Sequence, residues 1–291
     1  GVGLLPERAL VGARLAVEVA IAALTQLRAL SASDTNFNLS VLKDYLDSRL
    51  PRQLVRAWLE AVDHHRSQQA LNRAQIDALA DDDRRSLYQD NRLAYAANVS
   101  AAMVTPNMLV YLQLGDDEIV SLDEDENVSQ PFAPATGANH FASHEAARHV
   151  QSRLLPIVDF TPPEAILVVN SGYRQTMASD NVFFDAARNL ASLIRTRGAT
   201  RAQQVLNSRL HSLNAEQDCA VALLKLATAG DFDLLTRQIA TFQKQLSDQA
   251  RVIARLSQLL KEHLGRSQHG AAPATLKEHM GGQPPATPAV D

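Results

Sequence analysis

Apolar positions in the first third of the chain recur at three- and four-residue spacing. Gly12 to Leu30 carries that pattern with a run of alanines, and it predicts a helix ending in the Ser-Ala-Ser-Asp-Thr-Asn cluster at residues 31–36. A second helical stretch is expected from about Asn38 to His65, interrupted near Pro51, with Leu54, Val55, Trp58, Leu59 and Val62 as its apolar stripe. Trp58 is therefore assigned to the core. Residues 66–92 are polar, include the run Asp81-Asp82-Asp83-Arg84-Arg85, and read as a surface loop with some helix.

From Tyr95 the period becomes that of extended chain. Strands are expected at 95–104, 108–114 and 118–122, with turns at Pro106-Asn107 and Asp116-Asp117, and the last two strands should form a hairpin. Asp123 to Asn127 is an acidic turn, and a strand is expected near 149–158 within an otherwise loop-rich stretch. Ile166 to Val169 is a continuous apolar run, the mark of a strand buried on both faces. Helices over about 180–196 and 200–213 and a strand at 218–226 close the pattern. Mixed helices and hairpins in this order predict an α+β fold over 1–226: an antiparallel β-sandwich flanked by helices.

The C-terminal part has a different period. Leu235, Ile239, Phe242, Leu246, Gln249, Ile253, Leu256 and Leu260 alternate four and three apart, which is a coiled-coil seam with one polar position, within a helix expected over 227–264. The seam either packs on its own domain or joins the chain to a second copy or another partner. Residues 265–291 are rich in Gly, Pro and Ala and are expected to be disordered.

Composition narrows the functions. The 291 residues are 46% hydrophobic, enough for a substantial core, and the net charge of −4 offers no global field for nucleic acid or an anionic membrane. Cys219 is the only cysteine, which excludes an intrachain disulfide or a CxxC knuckle and points to a reducing cytoplasm. Leu15 to Leu30 contains Glu18, Gln26 and Arg28, so it reads as an amphipathic core helix and not a membrane span. The chain begins at glycine and not methionine, which leaves room for residues upstream.

Four segments carry the candidate chemistry. They are Gly1-Val2-Gly3 with Gly12 to Glu18, then Tyr111 to Asp116, then Ile166 to Tyr173, and last Gln217 to Leu224. In order, they resemble the D-G-x-G turn with its helix, the G-D strand end, the strand ending in D-G-Y/W, and the closing D-D/N-x-S/T-V strand of the PPM (type 2C) serine/threonine phosphatases, bacterial branch. The resemblance implies two central antiparallel sheets between helix pairs, with further strands ahead of the first turn. It also implies two manganese or magnesium ions that share carboxylates and activate a bridging water.

Such hard cations need anionic oxygens. By the resemblance, the carbonyl of Gly1 is a metal ligand and Asp116 is associated with an accessory metal, and Asp180 stands where bacterial members often have an acidic residue. The other two ligand aspartates fall on Ser171 and Gln217, both neutral; a one-residue shift would put Asp218 in place of Gln217 but would leave Ser171 unrepaired. Loss of two charges predicts no cofactor, or weakly bound manganese or magnesium. Bland roles also exist: Asp116 suits a turn and Asp180 a helix N-cap. His140, His144 and His149 invite a zinc reading, but no HExxH pattern supports it. Cys219 suits a small buried residue.

Three functions follow. The first is a pseudophosphatase that binds and regulates a phosphoprotein or protein kinase. The second is an active phosphatase with an atypical metal site, and the third an assembly role through the seam helix.

Overall fold

The computed structural model describes residues 2–33, 38–133, 140–157, 161–212, 219–226 and, in the C-terminal part, 239, 241, 243, 244, 247, 249, 251 and 253–258. Two compact units are distinguished, Gly1–Ala227 and Thr228–Asp291.

In the first unit, α1 spans Pro6–Ser33. Its stretch from Pro6 to Ser31 is long and apolar enough to cross a membrane by composition alone, with a mean hydropathy of 1.6. One face, Ala9, Ala16, Ala20, Leu24 and Leu27, is buried, while Leu10, Val17 and Ile21 stay exposed. The following helices are α2 (Leu39–Asp44) and α3 (Leu50–Gln68), joined by a π-helical stretch at Tyr45–Arg49. The interruption expected near Pro51 is this wider turn. Pro51 sits in the first turn of α3, where its missing N–H costs nothing. Trp58 is fully buried, stacks on Phe141 with ring centroids 5.2 Å apart, and donates its indole N–H to the Gly12 carbonyl at 3.0 Å.

Residues 66–92 hold more structure than a surface loop. They form α4 (Arg73–Asp77) and α5 (Asp81–Gln89), followed by a 3-10 turn at Asn91–Tyr95 whose Ala94 and Tyr95 are buried. The strands are β1 (Val99–Val104), β2 (Met108–Leu114), β3 (Glu118–Leu122), β4 (Val128–Ser129), β5 (Gln151–Pro156), β6 (Ala165–Val169) and β7 (Val221–Lys225). They make two antiparallel sheets, ordered β1-β2-β5 and β4-β3-β6-β7.

The expected hairpin between β2 and β3 does not form. All seven residues of β2 are buried, so the strand needs cover on both faces, and β3 supplies part of that cover from the facing sheet. Gly115, at φ +114°, turns the chain across the sandwich, and the Gln113 amide donates to the Asp117 carbonyl at 2.6 Å in place of ladder bonds.

Alternation along the strands defines three layers of core. Met108, Val110, Leu112 and Leu114 face α1 and α3, while Leu109 and Tyr111 meet Ile119 and Ile166 between the sheets. Val120, Leu122, Leu167 and Val169 face the helix α7 (Asp180–Arg197), which packs beside α8 (Ala199–Ser212). A short α6 (Ser171–Gln175) follows β6. The unit is thus the α+β sandwich flanked by helices that the pattern predicts. In the second unit, Ile239, Ile253 and Leu256 are helical with exposed side chains; Leu235, Phe242, Leu246, Leu260 and residues 265–291 lie outside the described residues.

Candidate functional site

The register of β3 against β6 pairs Glu118 with Val169, so the Asp116-Asp117 turn stands beside the Asn170-Ser171 turn at one end of the sandwich. Each turn has a local cause. Gly115 adopts a left-handed conformation, and a Cβ there would lie 2.3 Å from Asn98 Cγ. Asn98 thereby reaches Asp116, donating to its carboxylate at 2.6 Å. On the other side, the Asn170 side chain accepts from the backbone N–H of Tyr173 at 3.0 Å and of Ala220 at 2.8 Å. It caps α6 and binds the end of β6 to the start of β7.

The two aspartates differ in environment. Asp116 is exposed, whereas Asp117 is half-buried, and its carboxyl is pushed up to about 6 by burial and by the charge of Asp116, against the opposing hydrogen bonds of Asn98 and the Ser171 backbone. His140 lies near the same turn. Burial lowers its pKa, and the charge of Asp116 partly offsets that fall. Phe141 holds this segment in place through a bridge to Ala97, with N–H to carbonyl distances of 2.8 and 3.3 Å.

A second cluster lies alongside. Arg174 contacts Glu118 at 3.1 Å, pairs with Asp180, and lies over the Phe183 ring. Burial raises the Glu118 pKa, and Arg174 counteracts that rise.

The structure therefore brings Asp116 and Ser171 to one end of the sandwich and places Asp180 in an ion pair next to it. Ser179 is the N-cap of α7, with its hydroxyl accepting from Val182 N–H, and Asp180 is the first helical residue. Gly1, Gln217 and Asp218 lie outside the described residues. His144 and His149 bound the 3-10 turn His144–Arg148, both exposed. Cys219 is half-buried against the same core layer as Tyr173. Asp117, Asn98 and Asn170 were not singled out by the motifs. An aspartate doubled after Gly115 was the one available signal for Asp117, and nothing in the pattern marks Asn98.

The donor set can be tested against a two-cation centre. Among the described residues no three His, Cys, Asp or Glu side chains converge as a metal cluster would require. Asp116 and Asp117 share one turn, position 171 supplies a hydroxyl, and Asp180 is engaged by Arg174. The described residues do not fit two shared divalent ions.

The protein phosphatase 2C family profile matches residues 3–211. The chain belongs to the protein phosphatase 2C family. Among solved structures, the Mycobacterium tuberculosis serine/threonine phosphatase PstP/Ppp is similar at 12% identity, TM-score 0.45, over 74% of this chain and 83% of that one. Serine-threonine phosphatase 2C from Toxoplasma gondii is similar at 12% identity, TM-score 0.40, over 72% and 77%. A bacterial serine phosphatase carrying an arginine-to-alanine substitution matches at 13% identity, TM-score 0.32, over 44% of this chain and 52% of that one, so the chain spans about half its length. No curated protein matches the chain.

Proposed function

We propose that this phosphatase 2C-type domain is a pseudophosphatase that binds a phosphoprotein or protein kinase and regulates it without hydrolysing the ester. The observation that supports this most directly is Ser171. It stands beside Asp117 at the end of β6, where the family resemblance calls for a metal-binding carboxylate. A hydroxyl cannot compensate the repulsion of two divalent ions. The seam from Leu235 to Leu260 is assigned to partner binding or self-association, and the compartment to the cytoplasm, on the strength of the sequence. Neither nucleic acid nor membrane is a proposed partner.

The test is hydrolysis of p-nitrophenyl phosphate and of a phosphothreonine peptide at saturating manganese, with manganese titrated by calorimetry. The expected result is turnover at background and no tight binding of two ions, while the phosphopeptide still binds. Manganese-dependent turnover abolished by Asp116→Asn would overturn the reading. It would favour the second one, an active phosphatase with an atypical site. That alternative draws on the crowding of Asp116 and Asp117, since a single cation would offset the Asp116 charge that adds to burial in raising the Asp117 pKa.

A further inference from the structure

Between α3 and the 3-10 turn His144–Arg148 lies a cleft of about 680 Å³. Its two walls are fixed to each other from within. Ala146 of the turn is buried, and Phe141, just ahead of the turn, stacks on Trp58 of α3. Pro51, Val55, Ala147 and Val150 give the cleft an apolar floor, and Arg52, Arg56, His144 and Arg148 stand exposed around it. Arg52 and Arg56 are four residues apart and so share one face of α3.

The charge in this cleft is poorly matched. Arg195 is held by the buried Glu164, and Arg92 by Asp63 through two nitrogens, but the arginines of the cleft have no such partners. Arg52 makes no ion pair or hydrogen bond among the described residues. Arg56 meets Glu60 at 2.8 Å and Arg148 meets Glu145 at 4.0 Å, with both members of each pair exposed. Exposed pairs of this kind gain little in water, which leaves both guanidiniums available to a stronger anion. Asp47 is the one acidic residue lining the cleft, and its carboxylate accepts from the Ser152 hydroxyl of β5 at 3.4 Å. Three permanent positive charges thus gather around one carboxylate in a chain whose net charge is −4.

We propose that this arginine cleft binds the phosphate of a phosphoserine or phosphothreonine segment in a partner polypeptide. The inference rests on the reading of the domain as a phosphoprotein-binding pseudophosphatase, and it gives that binding a place that shares no residue with the Asp116 and Ser171 turns. A phosphate monoester carries nearly two charges and three strong acceptor oxygens. Guanidinium forks donate to such oxygens in pairs, and here α3 presents two forks and the turn a third. A lone carboxylate has too few oxygens for all three. The volume suits a ligand larger than a free ion, and the apolar floor gives the residues beside the phosphate a surface to cover. The negative net charge opposes a long polyanion such as a nucleic-acid strand.

The probe is a fluorescein-labelled nine-residue peptide of alanine and glycine around one phosphothreonine, with its unphosphorylated twin, added to the full chain without metal and followed by anisotropy. The phosphopeptide should bind saturably, and the twin at least tenfold more weakly. Arg52→Gln with Arg148→Gln should weaken phosphopeptide binding at least tenfold at an unchanged unfolding midpoint, since both side chains are exposed. Arg73→Gln with Arg85→Gln removes the same charge from exposed positions outside the cleft and should leave binding within twofold. Inorganic phosphate should displace the probe only at concentrations at least tenfold above those of unlabelled phosphopeptide. The proposal is overturned by absence of saturable binding, or by equal binding of the twin. Undiminished binding in the Arg52 and Arg148 double variant overturns it as well, and leaves the pseudophosphatase reading as it stands. An equal loss in the Arg73 and Arg85 variant would reduce the effect to net charge, and displacement by an equal concentration of inorganic phosphate would make the free ion the ligand; each overturns it. Manganese-dependent turnover would remove the pseudophosphatase reading alone, because loss of binding in the Arg52 and Arg148 variant would still assign the phosphate to the cleft.

Discussion

The guanidinium of Arg195 on α7 grips the carboxylate of Glu164, which is only 4% exposed, through Nε to Oε1 at 2.9 Å and a second contact from its terminal nitrogen to Oε2. Glu164 also donates its backbone N–H to Leu122 O and accepts from Leu226 N–H, each at 2.7 Å. It therefore joins the ends of β3, β6 and β7 to the helix layer, at the opposite end of β6 from Ser171.

Removal of the cation strands that buried carboxylate. Arg195→Ala is expected to lower stability by about 2–3 kcal/mol, below the figure for a fully buried pair because Arg195 is itself partly exposed. Glu164→Gln should cost less, since an amide needs no counter-ion. Urea unfolding of the single and double variants measures the coupling; equal losses in both singles with none in common would refute the pairing.

Gly12 is a matter of close approach. A Cβ at this position would lie 1.8 Å from the Tyr95 carbonyl oxygen, while the Gly12 carbonyl receives the Trp58 indole N–H. Gly12→Ala must push α1 off the 3-10 turn, and about 1–3 kcal/mol or more of stability should be lost. Thermal unfolding followed by Trp58 fluorescence reads both the midpoint and the loosened ring environment. An unaltered midpoint would show that α1 packs elsewhere.

Much of this architecture was legible in periodicity, and the reasons for success and failure are physical. Leu54, Val55, Trp58, Leu59 and Val62 lie on one helical face, and all are buried on one side of α3. The run Ile166–Val169 marked a doubly covered strand because both of its faces meet apolar layers. Pairing was less legible: β2 and β3 are separated by three residues, as in a hairpin, yet the turn at Gly115 sends them to different sheets. The spacing was the same either way, and burial of both faces of β2 decided the outcome. Motif order points to Asp116 and Ser171, whose turns the β3–β6 register sets side by side, whereas Asn98 reaches the turn only because Gly115 has no side chain.

Adding charge at the two positions that the family resemblance assigns to metal ligands should raise ion affinity. Ser171→Asp places a third carboxylate beside Asp116 and Asp117, and Gln217→Asp adds the one that the family resemblance assigns to the closing strand. Calorimetry should find manganese binding at least tenfold tighter in the double variant than in the parent chain. Without manganese, the same variant should melt lower, because like charges crowd one turn. Equal affinity in both proteins would show that these positions do not face a cation.

The last expectation concerns pH. Burial and the Asp116 charge hold the Asp117 carboxyl at about 6 in the folded chain, against an ordinary value of 3.8. Between those values the folded state holds a proton that the unfolded state has released, so stability falls as pH rises through the window. The full benefit is present below about pH 4 and is lost once pH passes 6. The difference is worth up to about 3 kcal/mol, reduced by the partial solvent access of the group. Asp117→Asn keeps the shape without the ionisation, and the Asn98 and Ser171 donors retain a carbonyl oxygen to face. The variant should therefore unfold at higher urea than the parent at pH 7–8, with the gap closing near pH 4. A gap of constant size across that range would mean that Asp117 does not titrate in the window, and that the crowding with Asp116 is relieved in solution.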